Sequence, residues 1–186
     1  PNERTSPSLP TRLKTAILAA TMGQFPLTLS RFIAQNQVVH PGTAGEFSGL
    51  LAQVGLVGKL IAQDLSRAGL INILGTTGEI NVQGETAKKL DEIANQTFLN
   101  VFRHSGLVCA LASEEMEKPV LLPENWPQAK YMLLFDPLDG SSNTDCNMPL
   151  GAIFSVVKSE RHDRMPTEDD LVRKGTEQVA AGYLLY

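Results

Sequence analysis

Two short apolar runs, each ending in acidic residues, constrain the fold of this chain more than any other feature. Residues 107–112 lead into Glu114 and Glu115, and residues 131–135 lead into Asp136. Each run is too short for a helix and is bounded by polar residues or turn formers, so we predict two buried strands. If these strands are parallel neighbours in one sheet, their carboxylates gather at a single edge, where open α/β sheets bind ligands.

The rest of the pattern predicts an α/β (α+β) layered sandwich in which helices pack on a mixed β-sheet. Apolar residues recur at helical spacing and predict three helices, near residues 29–33, 47–68 and 90–102. Two further strands are expected at residues 153–157 and 179–186. Residues 70–85 contain three glycines and show no clear period, and we interpret them as a mobile connection able to act as a lid.

Composition favours an intracellular globular domain. The 186 residues are 42% hydrophobic and 19% charged, enough for one substantial core, and the net charge of -4 argues against a nucleic-acid partner. No apolar run reaches the roughly 18 residues of a membrane span, so we expect a cytoplasmic protein with no membrane partner. Cys109 and Cys146 lie in apolar runs, which is typical of buried, reduced thiols.

The two ends of the chain differ in character. Residues 1–26 contain four prolines and mostly basic charges, and we interpret them as a flexible N-terminal extension before a domain at residues 27–186. The sequence stops at Tyr186 within an apolar, aromatic run. This ending leads us to expect the front portion of a longer protein, because natural termini are usually solvated.

The acids around Asp136 have the composition of a hard-cation site. Asp136 and Asp139 are three residues apart, and Pro137 would stiffen a turn between them. Both carboxylates and the Leu138 carbonyl could then face one ion, with Glu114 from the neighbouring strand. Oxygen ligands of this kind favour Mg²⁺, with Mn²⁺ as a substitute.

A phosphate cradle is predicted directly after these acids. The amides of Gly140, Ser141 and Ser142 can form a concave anion site, because glycine has no Cβ to obstruct it. Metal and cradle together are what phosphoryl transfer to water requires, and Asp91 and Glu115 are acids able to position or activate that water. Taken singly, each motif is also compatible with an ordinary solvated turn, loop or helix face.

The wording of these motifs resembles one family, the class I fructose-1,6-bisphosphatases. The resemblance runs in order from Leu27 to Tyr186 and is carried by NVQGETAKKLD at 81–91, SEE at 113–115, FDPLDGSSNTD at 135–145 and QVAAGYLLY at 178–186. The wider superfamily, which includes inositol monophosphatases, generally has a looser DPxDGT pattern.

The resemblance implies roles for individual residues. It implies metal ligation by Glu114, Asp136, Asp139 and the Leu138 carbonyl, and activation of water by Asp91 and Glu115. It implies that the 1-phosphate is bound by Asp139, Gly140, Ser141 and Ser142. Glu85 falls where the family has an acidic residue on a catalytic loop, although members often have Asp there.

The implied reaction is Mg²⁺-dependent hydrolysis of D-fructose 1,6-bisphosphate to fructose 6-phosphate and phosphate, in the gluconeogenic direction. The implied assembly is a homotetramer. Animal and some bacterial members also bind AMP, and parts of that nucleotide site match Gly45, Glu46, Phe47, Ser48, Lys130 and Tyr131. Because Ala44 and Lys158 depart from the animal pattern, AMP inhibition is not expected. Residues 159–175 contain no cysteine, so thioredoxin control of the plastid kind is not expected either.

Length separates this chain from the family it resembles, whose members are nearly twice as long. Their second half supplies the fructose 6-phosphate pocket and one further metal ligand, so we expect the isolated chain to be inactive or very weak. Two alternatives stay open: a sibling phosphatase acting on sedoheptulose bisphosphate, inositol phosphates or nucleotide phosphates, and a non-catalytic binding module.

Overall fold

The computed structural model describes residues 26–39, 45–67, 76–80, 86–125, 127–141, 149–159 and 164–186. The chain divides into two units, Pro1–Thr43 and Ala44–Tyr186. Residues 1–25 lie outside the described residues, so the flexible extension stays a prediction.

The first unit contains helix α1 (Leu29–Val39), which confirms the first predicted helix. Thr28 caps it, since the Arg31 amide donates a hydrogen bond to the Thr28 hydroxyl oxygen at 3.2 Å.

The second unit has helices on a mixed five-stranded sheet, which confirms the predicted fold class. Its helices are α2 (Glu46–Arg67) and α3 (Lys89–Arg103). A separate two-stranded antiparallel sheet is formed by β1 (Thr76–Ile80) and β2 (Thr86–Lys88). The strands of the main sheet are β3 (Val108–Ser113), β4 (Val120–Leu121), β5 (Tyr131–Asp139), β6 (Gly151–Lys158) and β7 (Gln178–Leu185).

The order of strands across the main sheet is β4-β3-β5-β6-β7. Strands β3 and β5 are parallel, and every other neighbouring pair is antiparallel. The two acid-ending strands are therefore parallel neighbours, as the expected gathering of their carboxylates requires. The parallel pair needs a crossover, and residues 114–130, which include β4, provide it.

Helices α2 and α3 pack their apolar stripes into the core that also covers one face of the sheet. The buried residues of α2 are Leu50, Val54, Val57 and Ile61, at the helical spacing expected from the sequence. Phe98 of α3 is fully buried and stacks on Phe135 of β5, with ring centroids 4.3 Å apart. This aromatic stack fixes α3 against the middle strand of the sheet.

The interpretation of residues 70–85 as a connection without packed structure is wrong for part of its length. Thr76–Ile80 forms β1 and pairs with β2, with an irregular register between Thr76 and Ile80. The threonines and Ile80 favour a strand, but Gly78 interrupts the alternation that would have indicated one. Residues 70–75 and 81–85 lie outside the described residues, and the lid stays a prediction.

Strand β7 forms one edge of the sheet and confirms the strand expected near residues 179–186. Its side chains alternate, so that one face packs on the core and the other leaves Val179, Tyr183 and Leu185 largely exposed. Among the helices that the structure describes, none is long and apolar enough to cross a bilayer.

Two smaller features complete the second unit. Arg164 makes a bidentate pair with Asp170 at 2.8 and 3.2 Å, which ties together residues 164–170 before β7. Cys109 is fully buried, as expected, and its thiol donates to the Tyr131 carbonyl at 3.3 Å. Cys146 lies outside the described residues.

Candidate metal and phosphate site

The parallel pairing of β3 and β5 brings the first two acids together. Ser113 is the register partner of Phe135, and the Glu114 amide donates to the Phe135 carbonyl at 3.0 Å. Glu114 therefore continues the ladder by one residue and lies beside Asp136. An open groove of about 520 Å³ runs along this edge, and Glu114 and Asp136 are its acidic residues.

The stiff turn expected between Asp136 and Asp139 is wrong, because these residues belong to the last part of β5. Asp136 pairs with Ile153 and Asp139 pairs with Gly151, so β5 has one more residue than β6 over this interval. This is a β-bulge, and a bulge accommodates Pro137, which has no amide hydrogen for the ladder. The Leu138 amide instead donates to the Asp136 carboxylate at 3.0 Å.

Asp136 has a strongly raised pKa. Its burial raises its pKa to about 7, and the negative charges of Glu114 and then Asp139 act in the same direction. The hydrogen bond from the Leu138 amide opposes this rise but does not cancel it. The edge thus holds more negative charge than its own surroundings neutralise.

This surplus of carboxylate oxygen fits a hard divalent cation, which would relieve the repulsion. Within the described ranges, however, no group of three or more histidine, cysteine, aspartate or glutamate side chains is arranged to hold a metal ion as it stands. Glu114 and Asp136 meet, whereas Asp139 acts on Asp136 through its charge alone. Metal ligation by these residues and by the Leu138 carbonyl stays a prediction.

Asp91 lies in the first turn of helix α3 and is only 4% exposed. A turn at Gly106, with φ of +67°, leads from α3 into β3, and α3 packs against β3 and β5. The role of Asp91 in positioning or activating water stays a prediction. Asn95, one turn further along, is also buried and was not identified from the sequence.

The remaining predicted site residues are described only in part. The Glu115 amide donates to the Ser113 hydroxyl oxygen at 3.3 Å, which places Glu115 directly after the end of β3. Gly140 has φ of +83°, a backbone conformation that favours glycine and supports the predicted cradle. Ser141 follows in the described chain, whereas Ser142 and Glu85 lie outside it.

Two tyrosines of the β7 segment contribute to this edge and were not identified as site residues from the sequence. The Tyr186 hydroxyl donates to the Pro137 carbonyl at 3.4 Å. Partial burial, followed by the charge of Asp139 and a hydrogen bond with it, raises the pKa of Tyr183. The motif GYLLY contains both tyrosines, but its spacing does not reveal which strand they meet.

The residues expected at the nucleotide effector site come together at the start of β5. The Lys130 ammonium lies 2.8 Å from the Glu46 carboxylate, and the Phe47 and Tyr131 ring centroids are 5.9 Å apart. Gly45 precedes α2 with φ of +77°, and Ser48 lies in the first turn of that helix. These residues therefore lie together in the structure, and a nucleotide site there stays a prediction.

Comparisons with known proteins agree with this geometry. A family model described as the N-terminal domain of fructose-1-6-bisphosphatase matches residues 27–186. The class 1 fructose-1,6-bisphosphatase of Trichodesmium erythraeum is 54% identical over 160 residues, covering 86% of this chain and 45% of that protein. The corresponding protein of Trichormus variabilis is 52% identical over 160 residues, covering 86% of this chain and 46% of that protein.

Solved structures give the same result. The holo form of Leishmania major fructose-1,6-bisphosphatase superposes with a TM-score of 0.77 at 32% identity, covering 88% of this chain and 50% of that one. The chain belongs to the fructose-1,6-bisphosphatase family, which confirms the resemblance seen in its motifs. It spans about half the length of the curated relatives it matches.

Proposed function

We propose that this chain supplies the metal- and phosphate-binding part of an enzyme that hydrolyses D-fructose 1,6-bisphosphate to fructose 6-phosphate and phosphate. The observation that supports this proposal most directly is the crowding of Glu114 against Asp136 at the ends of two parallel strands. The names of the relatives supply the substrate, which the groove by itself does not identify.

The residues divide into three roles in this proposal. Glu114, Asp136, Asp139 and the Leu138 carbonyl would hold Mg²⁺ or Mn²⁺. Bound there, the metal would neutralise charge on the phosphate oxygens during hydrolysis. Asp91 and Glu115 orient the attacking water and accept its proton, while the amides of Gly140, Ser141 and Ser142 hold the phosphate.

Several finer features belong to the same proposal. The working enzyme would be a cytoplasmic homotetramer, and the relatives' additional length would complete the sugar pocket. The cluster around Glu46 and Lys130 would be the counterpart of a nucleotide effector site. AMP should inhibit weakly or not at all, because Ala44 and Lys158 depart from the animal pattern.

Phosphate release tests the proposal. A chimera joining residues 1–186 to the remaining C-terminal part of the Trichodesmium erythraeum relative should release phosphate from fructose 1,6-bisphosphate when Mg²⁺ is present. Its Asp136→Asn variant should lose about 100-fold or more in kcat/KM, because removing a metal ligand removes transition-state stabilisation. The 186-residue chain alone should be inactive or very weak.

Other results would favour the alternatives. A folded chimera that prefers sedoheptulose bisphosphate or inositol phosphates would indicate a sibling phosphatase. A folded chimera with no phosphatase activity, although it binds nucleotide, would indicate a non-catalytic module. Circular dichroism of chimera and variant establishes folding in each case.

A further inference from the structure

We propose that Tyr183 is a positioning residue for Asp139: its hydroxyl donates a hydrogen bond to the carboxylate across Gly151 and orients it for a divalent cation. The inference rests on the proposed function in one respect, namely that Asp139 is a metal ligand. It adds to that function a residue of another strand, β7, that lies outside the metal-binding motif.

The sheet register shows how a side chain of β7 reaches β5. Asp139 of β5 pairs with Gly151 of β6, and Gly151 pairs in turn with Leu185 of β7. Tyr183 precedes Leu185 by two residues, so both side chains project from the same face of the sheet. Strands β5 and β7 are separated by about 10 Å, twice the usual spacing, so the contact must form over β6.

Gly151 is the residue that allows this contact. A Cβ placed on Gly151 would overlap the Cζ and hydroxyl oxygen of Tyr183, as well as the Leu184 carbonyl oxygen. The phenol therefore lies directly over the glycine, with its hydroxyl near that backbone. Any side chain at this position would displace the hydroxyl from its path to Asp139.

A comparison with a second glycine that lies beneath an aromatic ring shows that core packing does not account for the position of Tyr183 over Gly151. A Cβ on Gly182 would meet the Phe154 ring at 2.6 Å, but Phe154 is only 7% exposed and belongs to the core. Tyr183 is 50% exposed, so its ring fills no interior space. What distinguishes it is its hydroxyl, which lies over Gly151, the register partner of Asp139.

The chemistry of the two groups gives the direction of the hydrogen bond. A carboxylate accepts, and a tyrosine hydroxyl, whose ordinary pKa is about 10, keeps its proton at neutral pH and donates. Tyr183, whose hydroxyl lies over the register partner of Asp139, is therefore the donor. A carboxylate held through one oxygen presents the other in a fixed direction, and loss of such supporting partners typically weakens metal binding about 10- to 100-fold.

Removing only the hydroxyl separates this role from packing. Mn²⁺ binding to the 186-residue chain, followed by electron paramagnetic resonance, should weaken about 10-fold or more in Tyr183→Phe. Val179→Ala is the matched control, because Val179 is an exposed residue on the same face of β7 and should leave the affinity unchanged. The thermal midpoint without metal should be the same in all three proteins.

The outcomes distinguish this inference from the proposed function. If the folded wild-type chain binds no Mn²⁺, the acids of this edge do not hold the metal in this chain, and the role of Tyr183 in orienting one of them here is overturned as well. If the wild type binds but Tyr183→Phe binds equally well, only the inference about Tyr183 is overturned. A loss in Tyr183→Leu without a loss in Tyr183→Phe would assign the effect to ring packing and would also overturn it.

Discussion

Strand β5 begins beside a pair of opposite charges and ends among like charges. At its start, Lys130 pairs with Glu46 at 2.8 Å. At its end, Asp136 lies against Glu114, with Asp139 adding further negative charge. The two clusters belong to the same strand and are separated by only a few residues, yet their electrostatic situations are opposite.

The pKa values record this difference. The hydrogen bond and charge of Glu46 raise the pKa of Lys130, which stabilises the charged form of the lysine. Burial and the charge of Glu114 raise the pKa of Asp136 to about 7, which stabilises its neutral form. The first cluster is complete within the chain, whereas the second favours the arrival of a proton or a cation.

The largest effect should come from removing the central acid. If Asp136 is a ligand as proposed, Asp136→Ala should weaken Mg²⁺ binding at least about 100-fold, since an oxygen-only site would lose a carboxylate. Isothermal titration at about pH 8, above the raised pKa of Asp136, measures this. Asp169→Ala, which removes an exposed carboxylate from the turn before β7, serves as the control. Unchanged affinity in Asp136→Ala would exclude Asp136 as a ligand.

Without metal, neutralising Asp136 should raise the stability of the chain, although the same change is expected to weaken metal binding. The folded-state pKa of Asp136, about 7, lies above its usual value of 3.8, so the folded chain holds this proton more tightly than the unfolded chain. The stability that this group contributes is present below about pH 4 and is lost as pH rises through about 7.

Asp136→Asn should therefore stabilise the metal-free chain by about 1 to 2 kcal/mol at about pH 8, after allowance for partial solvent exposure, and by little at about pH 4. Urea unfolding in EDTA at both pH values measures the difference. Equal destabilisation of the variant at both pH values would show that the carboxylates of this edge do not repel one another.

Asp170, which is paired with Arg164, should contribute to stability with the opposite pH dependence. Hydrogen bonds from Arg164, then from the Thr167 amide, lower the pKa of Asp170 to about 2. Its contribution to stability is present above about pH 4 and is lost as pH falls through about 2. Asp170→Asn should cost about 1 kcal/mol at about pH 7 and progressively less below about pH 4, because Arg164 is partly exposed. A cost that does not vary with pH would assign it to packing.

The smallest effect should come from the pair at the start of β5. Lys130 and Glu46 are 42% and 38% exposed, so solvent screens their attraction and neutralising either one should change stability far less than the change at Asp136. Lys130→Met and Glu46→Gln, alone and combined, allow a double-mutant cycle by urea unfolding. A coupling energy as large as the effect at Asp136 would contradict the contrast between the two ends.

The sequence predicts what depends on local pattern. The stripe of α2 and the two acid-ending strands follow from periodicity and length, and the convergence of Glu114 and Asp136 follows once those strands are parallel. The end of β5 is different, because a proline is read as a turn unless the bulge that accommodates it is known.

The sequence pattern could not reveal which contacts form between strands that are distant in the sequence. The proximity of Tyr183 to Asp139 depends on the order of three strands and on Gly151 between them. The burial of Asn95 depends on how α3 lies against its neighbours. The family resemblance implied residue roles in the metal motif but gave no indication of these neighbours.

The bulge between Asp136 and Asp139 has a consequence for how this segment can change in evolution. Asp136 and Asp139 pair with Ile153 and Gly151, which share one face of β6, so the bulge holds two acids that are three residues apart on the same face of the sheet. A deletion would remove the bulge and one of the two residues between these acids, whereas a substitution keeps the bulge. We therefore expect this short interval to tolerate exchange of residues such as Leu138 far better than a gain or loss of one.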